Sequence, residues 1–250
     1  MKSLGIFGVG AIGGSIGLRA RRNGARVLGY DSNTAALEAA LAAGAIDAAT
    51  SAQDLPGASD VLVIAAHLES TLREIERLAG QASTPALVLD VASVKLPVVR
   101  AASGLQNFVA THPMAGTERS GVVAARADLF DGRVWAYVPS GDETIDALAR
   151  SFIESMGAVP LSISAQAHDR AVAVTSHLPQ IVAWCYASLL RDSGADAERL
   201  CGPVASELLR ISGMSSAMWR DVLKANASNI ESPLRRLATE LEASADALVT

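Results

Sequence analysis

The 250-residue chain has few cysteines, few lysines and few aromatic residues. Neither of its two cysteines, Cys185 and Cys201, forms a closely spaced pair with another Cys or a His, which argues against a metal or redox site. Both are typical of small core residues in a reduced, cytoplasmic protein. The only lysines are Lys2, Lys95 and Lys224, and the net charge is −5. Because nucleic-acid binding needs clustered basic residues, we expect no such partner.

Long hydrophobic runs are also missing. No apolar segment approaches the roughly 20 residues of a membrane-spanning helix, so we expect no membrane partner. The segment 4–18 is almost uncharged, but its glycines recur at a fixed spacing and no signal-peptide cleavage site follows it. Half of the residues are hydrophobic while 4% are aromatic, so aliphatic side chains must fill the core of a globular protein.

A glycine-rich segment opens the chain. The apolar run Lys2–Phe7 is typical of a strand, and the Gly-x-Gly-x-x-Gly pattern after it is typical of a turn. Ser15–Asn23 is then predicted to be a helix. In this context the glycines predict a dinucleotide-binding loop, in which the backbone approaches the pyrophosphate and the helix N-terminus supplies N–H donors. From the loop we assign cofactor binding to Gly8, Gly10, Ala11, Ile12 and Gly13.

Asp31 ends the second predicted strand, 18 residues after the last glycine of the loop. A carboxylate there accepts hydrogen bonds from the adenosine ribose and repels a 2′-phosphate, which favours NAD over NADP. An Asp followed by Ser32 is also typical of a helix cap, and Arg21 and Arg22 lie nearby in the sequence. Ser32 and Ala65, at the ends of the second and third predicted strands, complete the expected cofactor site.

Short apolar runs alternate with helical segments in the first part of the chain. Further strands are predicted at Arg26–Tyr30, Val61–Ala66, Ala86–Asp90 and Phe108–Thr111, and helices at Asn33–Ala43, Leu68–Ala79 and Lys95–Ser103. This α/β alternation predicts a Rossmann-type doubly wound parallel sheet with right-handed crossovers. Val134–Val138 and Ala158–Leu161 are expected to add strands at one edge, with Glu143–Met156 as a helix between them.

After about residue 164 the pattern becomes helical. The predicted helices are Ala165–Leu190, Ala197–Arg210, Ser215–Ala227 and Ile230–Leu248. We therefore expect a dinucleotide-binding domain over 1–163 and an all-helical substrate and dimerisation domain over 164–250. The helices carry more apolar surface than four helices would bury alone, which predicts a homodimer through this domain.

His112 lies in a predicted turn that is rich in small and polar residues, between Thr111 and Ser120. An imidazole can accept a proton near neutral pH, as the oxidation of an alcohol by hydride loss requires. A lone histidine is more often structural. Its place after the last strand of the parallel run, where ligands bind in such sheets, favours a catalytic base.

The segment Thr111-His112-Pro113-Met114-Ala115-Gly116 closely resembles the signature of prephenate and arogenate dehydrogenases, and 90–95 resembles a second segment of that family. The resemblance spans nearly the whole chain. It implies NAD-dependent oxidative decarboxylation of prephenate to 4-hydroxyphenylpyruvate in tyrosine biosynthesis, without a metal. It also implies that His112 is the base and that Ser93 hydrogen-bonds and orients it, although Ser93 could instead cap a helix.

The same resemblance implies substrate contacts for Thr117, Glu118, His177, Arg210 and Trp219. Arg210 suits a substrate carboxylate because a guanidinium binds it bidentately. The residues before Arg210 depart from the family pattern, and Glu207 would replace the Asp that pairs with this arginine. Each of three residues could instead have a purely structural role. Arg210 would then be a surface charge, Glu118 would stabilise the turn and Trp219 would belong to the core.

Two features of the long helix concern its histidines. Pro179 removes a backbone donor two residues after His177, which predicts a kink. His168 precedes His177 by nine residues, about half a turn out of phase, so the two are predicted not to share a metal site. We expect His168 and His67 to be non-catalytic.

Alternative activities remain open at this point. The substrate could be arogenate, both compounds, or a 4-amino analogue of prephenate, and a protein that binds NAD without turnover is a further possibility. A short-chain dehydrogenase is excluded because none of Tyr30, Tyr137 and Tyr186 has a lysine four residues later. A two-domain 3-hydroxyacid dehydrogenase would need a lysine on the interdomain helix, and none lies between Lys95 and Lys224.

Overall fold

The computed structural model describes residues 1–81, 85–116, 120–213 and 216–249. It divides into two compact units, residues 1–166 and residues 167–250. The first unit contains both β-sheets, and the described part of the second consists of helices. None of the described helices combines the length and hydropathy that a bilayer-spanning segment needs.

The larger sheet of the first unit has six parallel strands in the order β3-β2-β1-β4-β5-β6. The strands are β1 (Ser3–Phe7), β2 (Arg26–Tyr30), β3 (Ala48–Ala49), β4 (Val61–Ile64), β5 (Leu87–Asp90) and β6 (Phe108–Val109). The connecting helices are α1 (Ala11–Arg22), α2 (Thr34–Ala42), α3 (Leu68–Ala79) and α4 (Leu96–Ala101). Strand β4 is buried throughout, as expected for a parallel strand covered on both faces. The predicted doubly wound fold is confirmed.

Strand order reverses between β1 and β4, which are neighbours in the sheet although β2 and β3 come between them in sequence. The carboxyl ends of these two strands meet there, and such a switch point is where open α/β sheets bind ligands. The backbone N–H of Ala65, directly after β4, donates to the carbonyl of Phe7 at the end of β1 (2.7 Å).

A second, three-stranded sheet contains β7 (Thr111–Pro113), β8 (Val134–Tyr137) and β9 (Val159–Ser162) in that order, with α5 (Glu143–Ser155) between β8 and β9 in sequence. The expectation that the last two strands extend the edge of the parallel sheet was therefore wrong. Strand β6 has two residues, and the chain leaves the parallel sheet after it, so β8 pairs antiparallel with β7 instead. The backbone N–H of Val138 continues this pairing by donating to the Ala110 carbonyl (2.9 Å).

The helices of the second unit are more numerous than predicted, and all except the last are shorter than predicted. They are α6 (Ala165–Val172), α7 (Leu178–Asp192), α8 (Ala195–Arg199), α9 (Pro203–Ser212), α10 (Ser216–Ala225) and α11 (Ala227–Ala247). The predicted single helix from Ala165 is interrupted by a π-helical turn at Ala173–His177, which ends two residues before Pro179. The predicted helix Ala197–Arg210 is two helices, because Gly202 is extended and Pro203 starts the second one.

Candidate functional site

The glycine-rich loop joins β1 to α1 at the switch point. Gly8 has a φ of +96°, and a Cβ there would lie 2.6 Å from the carbonyl oxygen of Ala65. A Cβ on Gly13 would lie 2.0 Å from the carbonyl oxygen of Gly8. At Gly10, by contrast, a Cβ would have no described atom within 4 Å. The loop is therefore closely packed against the protein at both ends and open in the middle.

Helix α1 begins at Ala11, four residues earlier than predicted, with Gly13 and Gly14 in its first turn. Its first intrahelical hydrogen bond runs from the Gly14 N–H to the Gly10 carbonyl (2.8 Å). The N–H groups of Ala11, Ile12 and Gly13 precede that bond and have no acceptor within the helix. This helix start presents donors and positive potential to an anion.

Asp31 follows β2 and is half-buried. Its Oδ2 accepts a hydrogen bond from the Val9 N–H (3.0 Å), and its Oδ1 accepts one from the Asn33 N–H (2.9 Å). The carboxylate thus joins the glycine-rich loop to the end of β2, where the neighbouring Ser32 is exposed. Each carboxylate oxygen has a second lone pair for a further donor. An open loop, unpaired helical N–H groups and this carboxylate fit an adenine dinucleotide.

His112 lies in β7, opposite Ala136 of β8, and not in a turn as predicted. The antiparallel partner makes this segment a strand, which the local sequence could not indicate. Alternate side chains of a strand point to opposite faces. Thr111 and Pro113 are buried, whereas His112 on the other face is half-buried.

Thr111, directly before His112, is held by Asp90 and Lys95. Asp90 Oδ1 accepts from the Thr111 N–H (2.9 Å), and Lys95 Nζ donates to the Thr111 carbonyl (2.6 Å). Lys95 Nζ also lies 2.5 Å from Asp90 Oδ2, and both side chains are almost completely buried. The Thr111 hydroxyl donates a hydrogen bond to the Asp90 carbonyl. The same hydroxyl accepts a hydrogen bond from Trp135 Nε1, at 2.9 Å. This role of Asp90 and Lys95 was not predicted from the sequence.

Ser93 is half-buried in the loop between β5 and α4. The hydrogen bonds of the described residues do not include one between Ser93 and His112, so the expected contact is not formed in this structure. Ser93 is also not a helix cap, because α4 begins at Leu96 with Lys95 at the N-cap position. The predicted substrate contacts Thr117 and Glu118 lie outside the described residues.

His177 is buried at the end of the π-helical turn, with 1% of its surface exposed. Its Nδ1 lies 3.1 Å from Nδ2 of Asn226, and the same Nδ2 donates to the Asp169 carbonyl (2.7 Å). Burial lowers the pKa of His177 to about 4, because it disfavours the charged imidazolium. The nearby Asp169 raises the pKa of His177, whereas His168 lowers it, as burial does.

His168 and His177 are closer in helical phase than predicted, because the π-helical turn lies between them. A π-helical turn absorbs about one extra residue without advancing the helix, so nine residues rotate by about 80° instead of 180°. His168 is therefore close enough to His177 to influence its charge. His168 Nδ1 bonds to Asp169 Oδ1 (2.8 Å), and both residues are buried.

Trp219 in α10 packs edge-on against His177 and Trp184, with ring centroids 5.8 Å and 6.4 Å away. Trp184 Nε1 donates to the Ser212 carbonyl (3.1 Å), whereas the buried Nε1 of Trp219 has no acceptor in the described part of the chain. Because a buried N–H without an acceptor is costly, this is an unusual environment for a purely structural tryptophan. A nearby open cavity has a volume of about 510 Å³. The described residues that line it are Trp184, Ala187, Arg191, Ser212, Arg220 and Leu223, and none of these is a predicted site residue.

Arg210 in α9 forms a bidentate ion pair with Glu207, one turn earlier. The Nε–Oε2 and Nη2–Oε1 distances are 2.9 Å and 2.5 Å. The predicted pairing is confirmed. The hydrogen bonds from Arg210 lower the pKa of the Glu207 carboxyl, so the pair stays charged. The ion pair orients the guanidinium on the helix surface.

Comparison with known proteins assigns both units to one family. The model of the prephenate dehydrogenase nucleotide-binding domain matches residues 16–161, and that of the prephenate dehydrogenase dimerization domain matches 164–249. The chain is 36% identical over 251 residues to the Probable prephenate dehydrogenase NovF of Streptomyces niveus. The aligned region covers 96% of this chain and 67% of that protein. The chain thus spans about two thirds of the length of the curated relatives that it matches.

Two solved structures are similar over nearly the full chain. Prephenate dehydrogenase from A. aeolicus, in complex with hydroxyphenyl propionate and NAD+, has a TM-score of 0.91 and 28% identity, covering 100% of this chain and 91% of that one. Synechocystis arogenate dehydrogenase has a TM-score of 0.79 and 26% identity, covering 96% and 90% of the two chains.

Proposed function

Because the chain belongs to the prephenate dehydrogenase family, we propose that it oxidises and decarboxylates prephenate to 4-hydroxyphenylpyruvate with NAD as the oxidant. The structural observation that carries this proposal is the open glycine-rich loop at the switch point. In the same unit, the strand that holds His112 is fixed by the buried Asp90–Lys95 pair. A dinucleotide site and a candidate base thus occur together in one unit.

In this proposal, the residues that would hold NAD are Gly8, Gly10, Ala11, Ile12, Gly13, Asp31, Ser32 and Ala65. The open space at Gly10 and the N–H groups at the start of α1 suit the pyrophosphate, and Asp31 suits the ribose hydroxyls. Because a carboxylate repels a 2′-phosphate, we propose a preference for NAD over NADP. Bound NAD would supply the acceptor for a hydride from the hydroxyl-bearing carbon of the substrate.

His112 is the proposed general base. It would accept the hydroxyl proton while the C–H bond breaks and the ring carboxylate leaves as carbon dioxide, and it would then return the proton to the phenolate oxygen of the product. The remaining ring is aromatic, which drives the reaction without a metal. A positioned base contributes about 10² to 10⁴ in rate. Asp90 and Lys95 would support this step by fixing the peptide groups on both sides of Thr111, the residue before His112.

The proposed substrate contacts follow the family resemblance. Arg210, oriented by Glu207, would bind a substrate carboxylate. His177 would lie beside the substrate, and Trp219 would help to close the pocket. Ser93 would help to orient His112 once ligands are bound, and Thr117 and Glu118 would contact the substrate.

Arogenate is the second candidate substrate, since Synechocystis arogenate dehydrogenase matches this chain over nearly its whole length. Arogenate carries an amino acid side chain in place of the keto acid of prephenate, on the same ring. A dual-specificity enzyme would accept both, so the two substrates must be compared directly.

We also propose that the chain forms a homodimer through residues 164–250, in the cytoplasm. The match to a dimerization domain supports this assembly. Large apolar side chains that are more than half exposed in the second unit also support it, among them Val174, Leu189, Val204 and Leu241. Light scattering during size-exclusion chromatography should give twice the mass of one chain, and a monomer would contradict the proposal.

The function is tested by incubating the purified protein with prephenate or arogenate and either NAD or NADP. The absorbance of the reduced nicotinamide and the product acid are both measured. We expect turnover with prephenate and NAD. Preferential turnover of arogenate would select the second candidate, and NAD binding without turnover of either compound would identify a nucleotide-binding protein instead.

A further inference from the structure

The side-chain amide of Asn226 is buried and has only one possible orientation. Asn226 is 1% exposed, and the atom that lies 2.7 Å from the Asp169 carbonyl oxygen must be a donor, because a backbone carbonyl can only accept. That atom is therefore the amide nitrogen, Nδ2. The amide oxygen on the other side accepts from Nδ2 of Asn229 (2.7 Å). Every polar group of the amide is satisfied in this orientation.

The orientation of Asn226 determines where His177 carries its proton. Nδ2 of Asn226 uses one hydrogen for the Asp169 carbonyl and directs the other at Nδ1 of His177 (3.1 Å). Nδ1 must then be the acceptor, so the proton of the neutral imidazole lies on Nε2.

We propose that Asn226 is a positioning residue that fixes His177 in the Nε2–H tautomer, so that His177 is a permanent hydrogen-bond donor to an oxygen of the anionic substrate. That the acceptor of this hydrogen bond is a substrate oxygen rests on the proposed function. The relationship between Asn226 and His177 stands on the hydrogen bonds alone.

The surroundings of His177 favour this neutral donor. The groups that face it are His168 and Asp169 of α6, Asn226 after α10, and the Trp219 ring. Burial outweighs the attraction of the Asp169 carboxylate, and the pKa of His177 falls to about 4. The imidazole therefore keeps one proton, on one nitrogen, across the neutral pH range.

A second donor lies on the ring beside His177. In the described part of the chain, the buried Nε1 of Trp219 has no hydrogen-bond acceptor. The ring centroids are 5.8 Å apart. Unpaired buried donors gain most from a ligand that supplies acceptors, and carboxylate, keto and hydroxyl oxygens of a cyclohexadienol acid are such acceptors.

The tautomer is measured directly by two-dimensional ¹H–¹⁵N NMR of the protein labelled at histidine nitrogen. The chain has four histidines, so single substitutions suffice to assign the His177 signals. We expect an unprotonated Nδ1 and a protonated Nε2 from about pH 6 to about pH 9. A protonated Nδ1, or a mixture of tautomers in the wild-type protein, would overturn the proposal without the need for any Asn226 variant.

Asn226→Leu removes the amide at similar volume and is expected to produce a mixture of tautomers at His177. Asn229→Ala is the matched control, because it removes a hydrogen bond from the same cluster and leaves the Asp169 carbonyl to orient Asn226. We expect the His177 signals to be unchanged in the control. Wild-type signals for His177 in Asn226→Leu would mean that Asn226 does not fix the tautomer.

A double-mutant cycle separates positioning from general support of the fold. We expect Asn226→Leu to raise KM for the substrate about tenfold, the equivalent of one net hydrogen bond, with KM for NAD unchanged. In a His177→Gln background the same change should have no further effect, because Asn226 acts through His177. A lower kcat with an unchanged substrate KM, or an equal loss in both backgrounds, would indicate a structural role and reject the proposal.

These measurements also distinguish the inference from the proposed function. If the wild-type protein turns over neither prephenate nor arogenate, the proposed function fails, and with it the substrate as the acceptor. The NMR spectra still decide whether Asn226 fixes His177. If the protein is active but His177 has the other tautomer, the inference alone fails.

Discussion

Lys95 Nζ lies 2.5 Å from Asp90 Oδ2, and the two side chains together bind both the N–H and the carbonyl of Thr111. This buried pair connects the end of β5, the start of α4 and the strand that carries His112. Removing one partner leaves an uncompensated buried charge, which is far more damaging than the loss of an exposed ion pair.

Lys95→Met is therefore expected to destabilise the protein by about 3–5 kcal/mol and to lower kcat. Urea unfolding and steady-state kinetics measure the two effects. Arg73→Met is the control, because Arg73 forms an exposed ion pair with Glu69 and its removal should change stability by no more than about 1 kcal/mol. Equal stabilities of the two variants would contradict the role of the buried pair.

His112→Asn is expected to bind NAD with wild-type affinity and to lose about 10²- to 10⁴-fold in kcat, because an amide cannot act as a base. Isothermal titration calorimetry and the turnover assay measure binding and rate separately. The exposed His67, at the N-cap of α3, provides the control: His67→Asn should retain full turnover. Near-wild-type turnover of His112→Asn would show that another group takes the proton.

Gly10→Ala tests the open middle of the glycine-rich loop. A Cβ at this position meets no described atom within 4 Å, so the melting temperature should stay close to that of the wild type. The same methyl group would occupy the approach to the pyrophosphate and raise the Kd for NAD at least about tenfold. Unchanged NAD affinity would place the dinucleotide elsewhere.

Gly8→Ala gives the contrasting result at the tightly packed end of the loop. Its Cβ would lie 2.6 Å from the Ala65 carbonyl oxygen, at a φ of +96° that other residues rarely adopt. We expect a loss of folding stability as well as of NAD binding, detected as a lower melting temperature. A Gly8→Ala protein as stable as Gly10→Ala would contradict the packing described here.

Protonation of His177 should make the protein less stable in acid. Its pKa is about 4 when folded, below the ordinary value of 6.5, so the unfolded chain binds the proton more readily. This contribution to stability is present above about pH 6.5 and is lost as the pH falls towards 4. We expect a loss of about 2 kcal/mol between pH 7 and pH 5.

The measurement for His177 is the free energy of unfolding in urea over this pH range. His177→Gln removes the titrating group, so the wild type should lose more stability than the variant as the pH falls. Parallel pH profiles would show that His177 does not titrate with a lowered pKa in the folded protein.

Several elements followed from local sequence because their causes are local. The predicted bounds of β2 and α3 are those observed, since the short apolar run of β2, the helical periodicity of α3 and the flanking turn residues are all local in the sequence. The Gly-x-Gly-x-x-Gly pattern was equally informative, because the steric limits at Gly8 and Gly13 depend on short-range backbone geometry.

The sequence by itself therefore determined the parallel sheet, the glycine-rich loop and the identities of the candidate site residues. Only the tertiary structure decided that β8 pairs with the strand of His112, that Lys95 is buried against Asp90, and that Asn226 contacts His177. Each of these depends on segments that are distant in the chain, and no local pattern specifies which distant partner a backbone or side-chain group will meet. The π-helical turn adds a second reason: it changes the phase of the helix, and with it the neighbours of His177, without a change in the number of residues.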